Sequence, residues 1–145
     1  MLALTTPPKV PYPTRYVIDP VAFFAALIGV PLLFTALTFA PFFIPVAALF
    51  FGGPMFIIVG TPLLLWYLRL NDGDPNALAF LAFKVMAFAL ILAAALAAIT
   101  GDDAVFGIGL WFTGFGMIFG PAWAYFFGIV YQYLRRDSFA KPRNL

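Results

Sequence analysis

Residues 74–100 read DPNALAFLAFKVMAFALILAAALAAIT, and this stretch decides the class of the fold. Residues 77–100 contain no glycine or proline, many alanines and a single charged residue, Lys84. An α-helix rises about 1.5 Å per residue, so about 20 apolar residues cross a hydrocarbon core of about 30 Å. The stretch therefore predicts a regular transmembrane helix.

Three further apolar runs, 21–40, 46–70 and 105–134, extend the pattern over the rest of the chain. Of the 145 residues, 64% are hydrophobic and 10% are charged, and the mean hydropathy is +1.02. A water-soluble domain of this size cannot bury so much apolar surface. We predict an all-α integral membrane protein with four transmembrane helices.

A glycine followed directly by a proline interrupts two of these helices. Helix 46–70 contains Gly52, Gly53 and Pro54, and helix 105–134 contains Pro121. Proline removes a helical hydrogen bond and clashes with the preceding turn. We therefore expect helices 2 and 4 to be kinked or broken at these residues. A non-helical stretch is the alternative in helix 2.

The chain also repeats a pattern. Asp19-Pro20 and Asp74-Pro75 each open an apolar run, and each pair of runs closes on a Phe-Gly-Pro type break followed by Tyr-Leu-Arg. This predicts two tandem helical hairpins, 20–72 and 73–137, between a proline-rich arm, 1–19, and a basic tail, 138–145. True duplication and convergent helix-end chemistry both explain the repeat.

Positive charge is distributed asymmetrically. The connections 41–45 and 101–103 carry none, whereas seven of the eight basic residues lie on the side of the two termini. These residues are Lys9, Arg15, Arg69, Arg135, Arg136, Lys141 and Arg143. By the positive-inside rule, both termini are expected in the cytoplasm and the protein in the cell (inner) membrane. A signal peptide is the less favoured alternative, because run 21–40 exceeds the usual h-region of about 7–15 residues.

Small residues form a stripe along the fourth helix at spacings of three and four. The stripe consists of Gly109, Thr113, Gly116, Gly120, Ala124 and Gly128. In lipid, small side chains let two helix backbones approach closely, so the stripe predicts a helix-packing interface. Its partner is another helix of the same chain, for which Ala48, Gly52 and Gly60 are candidates, or a second copy or foreign subunit.

Lys84 is the one charged residue well inside a span. An intramembrane charge is a functional hypothesis by default, but a lysine at this depth can also extend its stem to the headgroup region. No aspartate, glutamate or histidine in the spans offers it a counter-charge.

The residues of ordinary active sites are missing. The chain has no histidine, cysteine or glutamate, and its six aspartates lie at helix ends or in loops. We therefore predict no catalytic residue, no cofactor and no metal. Asp102 and Asp103 form the densest acidic pair, for which helix capping is favoured over weak cation binding.

These patterns favour a non-catalytic accessory, assembly or scaffolding subunit of a larger membrane complex. Its expected partners are the lipid bilayer and other membrane subunits or a second copy, with no nucleic acid. The alternative is a small homo-oligomeric channel or facilitator, lined by backbone and by Thr35, Thr38, Thr61 and Thr113. An enzyme acting on lipids is least favoured.

Overall fold

The computed structural model describes residues 14–38, 44–136, 139 and 143–144. The helices in chain order are α1 (Pro20–Thr38), α2 (Ile44–Met55), a π-helical segment (Phe56–Gly60), α3 (Thr61–Leu70), α4 (Pro75–Thr100) and α5 (Asp103–Leu134). Two-residue strands, β1 (Thr14–Arg15) and β2 (Arg143–Asn144), pair antiparallel. The predicted arm 1–19 and tail 138–145 lie largely, and the connection 41–45 partly, outside the described residues.

Four helical runs are long and apolar enough to cross a membrane: α1, the continuous run from α2 to α3, α4 and α5. This confirms the predicted all-helical fold with four helical runs long and apolar enough to span a membrane. The membrane orientation and the arrangement as two tandem hairpins stay predictions.

Aspartate begins three of the helices. Asp19 Oδ1 accepts from the Val21 amide at 3.1 Å, Asp74 Oδ2 accepts from the Ala77 amide at 3.1 Å, and Asp102 Oδ1 accepts from the Ala104 amide at 2.8 Å. The first amides of a helix have no partner within it, so a carboxylate that accepts from them fixes where the helix begins. This is the capping role that the sequence favoured for Asp102.

Glycine makes the two short turns on either side of α4. Gly73 and Gly101 have φ values of +79° and +66°, in the left-handed region that side chains with a Cβ rarely adopt. Gly101 ends α4, and its amide donates to Ala97 O. A Cβ at position 73 would also lie 2.8 Å from Leu68 Cδ2.

The predicted break residues are all helical. Gly52, Gly53 and Pro54 belong to α2, and the hydrogen-bond pattern changes to that of a π-helix directly afterwards. The non-helical alternative for this stretch is therefore wrong. Helix α5 continues uninterrupted through Pro121, so a break there is excluded and only a kink stays a prediction.

Helix α5 lies at the centre of the packing. It contacts α4 most extensively and also packs on α1 and α2. A cluster of buried side chains from α1, α3, α4 and α5 forms the core near the Leu134 end of α5. Its members are Ala22, Phe23, Ala26, Leu27, Leu64, Leu68, Leu78, Ala124, Phe127 and Tyr131.

Candidate functional site

The predicted stripe on α5 faces α4 of the same chain. A Cβ added to Gly128 would lie 2.8 Å from Pro75 Cα, and one added to Gly116 would lie 2.5 Å from Met86 Sδ. Gly109 lies directly against Ala93. Positions later in α5 contact positions earlier in α4, so the two helices pack antiparallel. The separation requires glycine at Gly109 and Gly128, whereas at Gly116 the flexible Met86 side chain could move aside.

The other members of the stripe lie beside this contact. Thr113 is buried and donates its hydroxyl hydrogen to Gly109 O at 2.7 Å, and Ala124 belongs to the core cluster. A Cβ at Gly120 would make only an ordinary contact, at 3.7 Å from Met86 Cγ.

The candidate partner stripe on the second span does not receive these glycines. Gly52 instead lies at the edge of the Trp123 indole, where an added Cβ would be 3.5 Å from Cη2. A Cβ at Gly60 would meet only Phe56 of its own segment, and Ala48 lines a cavity. Helix α4, rather than the second span, therefore packs against the stripe on α5.

A cavity of about 210 Å³ lies between the second span and the α4–α5 pair. Helix α2 and the π-helical segment form one wall, α4 contributes Val85, Met86 and Ala89, and α5 forms the remaining wall. The lining residues are Ala48, Phe51, Gly52, Met55, Phe56, Val59, Val85, Met86, Ala89, Trp111, Phe112, Thr113, Phe115, Gly116, Phe119, Gly120 and Trp123. Their exposed surface is almost wholly apolar.

Trp123 is the unusual member of this lining. Its side chain is 2% exposed, and its ring meets Phe56 edge to face with the ring centres 5.5 Å apart. Its Nε1–H has no hydrogen-bond acceptor among the described residues. A buried indole normally has a partner for this group, so Trp123 carries an unsatisfied donor within the described part of the chain.

A charged cluster links the start of α1 to the end of α5. Asp19, 1% exposed, accepts from Arg136 Nε at 2.8 Å and from Arg136 Nη2 at 3.2 Å. The Arg136 guanidinium is the main reason that the pKa of Asp19 falls to about 2, and the same pair raises the pKa of Arg136. One carboxylate thus both caps α1 and holds the end of α5.

Further polar contacts surround that pair. Arg135 Nη1 lies 2.8 Å from Asp72 Oδ1, and Gln132 Nε2 donates to Gly73 O at 3.1 Å. From the sequence, Arg135 and Arg136 were expected only on the cytoplasmic side of the membrane. One signal in the sequence could have revealed these pairs. Opposite charges lie at the same end of the spans, namely Asp19 and Asp72 together with Arg135 and Arg136.

Lys84 lies on the exposed side of α4. At 3.6 residues per turn it is opposite Leu78, Met86 and Ala93, which face α5. Its ammonium group lies 4.4 Å from the centre of the Phe80 ring, one turn nearer the start of the helix. The side chain therefore extends towards the Asp74 end of the span.

The described residues contain no group of three or more histidine, cysteine or acidic side chains that could hold a metal ion. Asp102 caps α5, and Asp103 is exposed in its first turn. A comparison of the chain with protein-family models, curated proteins and solved structures finds no match.

Proposed function

We propose that this protein is a non-catalytic accessory subunit of a larger membrane complex, and that it docks a foreign transmembrane helix on the outer face of α4. The observation that carries the proposal is the exposed Lys84 on that face. The lipid bilayer surrounds the rest of the bundle. This proposal keeps the accessory role expected from the sequence and moves the docking surface from the stripe on α5 to α4.

The outer face of α4 is large and apolar apart from its one charge. Phe80, Phe88 and Ile91 are 58%, 68% and 66% exposed and share this side of the helix with Lys84. The opposite side of α4 is already used against the glycines of α5. A partner helix would therefore bury side chains that nothing in the described part of the chain covers.

The charge selects the chemistry of the partner. An ammonium group in a span is stabilised by a carboxylate at the same depth, and the one acidic residue within the four spans, Asp103, lies at the opposite end of the bundle from the start of α4. A second copy is a poor occupant, because a two-fold axis along the membrane normal would bring Lys84 near its own equivalent. The partner is a span of a different protein that carries Asp or Glu.

A channel is supported less well by the same geometry. The hydroxyl of Thr113, one of the expected lining residues, is engaged with Gly109 O, and the cavity is apolar. An ion or polar solute needs polar groups to replace its hydration shell. Catalysis lacks support because the cavity lining contains no titratable side chain.

The test compares two substitutions at one position. The tagged protein is extracted from its native membrane in a mild detergent, and the bound subunits are identified and quantified by mass spectrometry. Lys84→Leu should reduce the bound partner at least about tenfold, because breaking a desolvated charge pair costs about 2–5 kcal/mol. Lys84→Arg should retain the partner.

The partner's own sequence provides the second half of the test. Neutralising its intramembrane carboxylate should cause the same loss as Lys84→Leu. Unchanged partner yield from Lys84→Leu, or a wild-type protein that is extracted alone, would exclude docking through this face and leave Lys84 extended to the headgroups.

A further inference from the structure

We infer that the end of the bundle where the two terminal segments pair binds an anionic phospholipid, whose phosphate is held by Arg15 and Arg69. This site is formed by β1 and α3, takes no part in the proposed docking of a helix on α4, and needs no partner protein. Three features point to it: arginines without carboxylate partners, the charge balance at this end, and exposed apolar side chains beside Arg69.

The backbone brings the two arginines to one place. Tyr16, which follows Arg15, donates its amide hydrogen to Arg69 O at 3.1 Å, and β1 contacts α3. Both arginines are exposed, and neither forms an ion pair with a carboxylate in the described part of the chain. Their guanidinium groups are therefore open to a ligand at the surface of the bundle.

The pairing of the terminal strands places a third arginine beside the first. Arg143 is directly opposite Arg15 in the antiparallel register. Like charges at opposite positions of such a pair repel each other, and an anion beside them removes the repulsion. The register of these strands therefore favours a bound anion.

The acidic residues described at this end are already engaged. Two pair with arginines at the end of α5, and the third caps α4. They are Asp19, Asp72 and Asp74. Segments 1–19, 69–74 and 135–145 together carry seven basic and four acidic residues, so the chain's own carboxylates cannot neutralise all of its positive charge here.

The guanidinium group selects phosphate as the anion, because its planar fork of N–H donors matches phosphate oxygens. The phosphate could come from a lipid headgroup or from solution, and the position of Arg69 favours the lipid. Arg69 lies in the last turn of a membrane-spanning run, which is the level of the headgroups.

The side chains beside Arg69 suit an acyl chain. Trp66, about 4.5 Å nearer the centre of the span, and Leu70 are each more than half exposed. An acyl chain attached to the phosphate would cover these two apolar side chains, whereas a soluble phosphate would leave them uncovered. The phosphate is therefore assigned to a phospholipid.

Two lipids with the same dioleoyl chains test the site. Native mass spectrometry of the delipidated protein in dodecyl maltoside, a non-ionic detergent, would measure the dissociation constant of each. Phosphatidylglycerol has a net negative charge, whereas the choline of phosphatidylcholine neutralises its phosphate. The wild type should bind phosphatidylglycerol at least about tenfold more tightly, as expected for two arginines near the surface. Equal affinity for the two lipids would overturn the inference.

Single substitutions locate the site. Arg15→Gln and Arg69→Gln should each weaken the binding of phosphatidylglycerol at least about threefold. Ala104→Asp lowers the net charge by the same amount at an exposed position at the opposite end of the bundle, and should leave the affinity unchanged. Equal losses in all three variants would show that net charge alone attracts the lipid, and no loss in the two arginine variants would show that they do not bind it. Either result would refute the site.

The headgroup without its chains separates the two sources of phosphate. A large excess of glycerophosphoglycerol should not displace phosphatidylglycerol, because it cannot cover Trp66 and Leu70. Displacement by this soluble compound would assign the arginines to a phosphate from solution and overturn the inference of a lipid site.

Discussion

Asp19 performs two tasks at once. Its carboxylate accepts from the first amides of α1 and from the guanidinium and backbone amide of Arg136, although the two residues are 117 positions apart. The carboxylate is buried, whereas the arginine side chain is 61% exposed. The Asp72–Arg135 pair at the same end has the reverse arrangement, because there the carboxylate is 55% exposed and the arginine side chain 11%.

We expect Asp19→Ala to lower the free energy of unfolding by about 2–3 kcal/mol, since it removes a helix cap and a charge-assisted hydrogen bond. Asp72→Ala should lower it by less than about 1 kcal/mol, because the Asp72 carboxylate is exposed and water screens its interaction with Arg135. Unfolding of each variant in mild detergent, followed by circular dichroism, measures the difference. Equal losses would show that the buried Asp19 carboxylate stabilises the fold no more than the exposed Asp72 carboxylate does.

The same pair predicts a pH dependence. Arg136 holds the folded-state pKa of Asp19 at about 2, below its ordinary value of 3.8. The unfolded state therefore binds the proton first, so the stabilisation is complete above about pH 4 and is lost as the pH falls towards about 2. The difference in stability between wild type and Asp19→Asn should shrink over that range. A difference that is constant from pH 5 to about pH 2 would contradict it.

At the scale of the helices, glycine sets the separation of α4 and α5. The approach is closest to backbone at Gly128, where the neighbouring atom is Pro75 Cα and cannot rotate away. Gly114 lies on the same helix with no atom within 4 Å of an added Cβ. The two glycines therefore form a matched pair for testing the contact.

We expect Gly128→Ala to destabilise the protein by about 1–3 kcal/mol, because the added methyl group forces the helices apart. Gly114→Ala should be neutral or stabilising by up to about 1 kcal/mol, since alanine is the better helix former. Thermal unfolding of both variants in the same detergent decides this. A stabilising Gly128→Ala would show that α4 and α5 do not approach closely there.

The π-helical segment shows how an element can depart from its sequence signal. Gly52, Gly53 and Pro54 predicted the neighbourhood in which helix 2 is irregular, but not the form of the irregularity. A π-helix keeps the backbone hydrogen-bonded while it changes the local register. In lipid, where unsatisfied backbone groups are destabilising by several kcal/mol, this form is accessible where an open stretch is not.

At the scale of the molecule, the described parts of the two terminal segments meet at one end, where Thr14 pairs with Asn144 and Arg15 with Arg143. Tyr16 also donates its amide hydrogen to Arg69 O at 3.1 Å. These contacts bring together the chain segments that carry most of the positive charge. The positive-inside rule then predicts that this end faces the cytoplasm.

The lack of native cysteine makes this orientation directly measurable. Asp103→Cys and Asn76→Cys place single thiols at exposed positions in the first turns of α5 and α4, which lie at opposite ends of the bundle. A membrane-impermeant maleimide should label position 103 in intact cells and position 76 only after permeabilisation. The reverse pattern would invert the proposed topology.

Much of the architecture follows from the sequence alone. The length and apolarity of its runs determine four membrane-spanning helices, and Asp74-Pro75 and Gly101 mark where α4 begins and ends. These signals are local, because helix length, capping and the left-handed turn depend on neighbouring residues. The stripe of small residues likewise indicated that α5 would pack closely against another helix.

Only the tertiary structure decided which surfaces meet. It placed α4 on the stripe, joined Arg136 to Asp19 and turned Lys84 outwards. It also left the Trp123 N–H without an acceptor among the described residues. The four membrane-spanning runs are apolar on nearly every side, so their sequences carry no amphipathic pattern that indicates an inner face. In lipid the choice of neighbours depends on the fit of side chains across the bundle, and that fit depends on all the helices together.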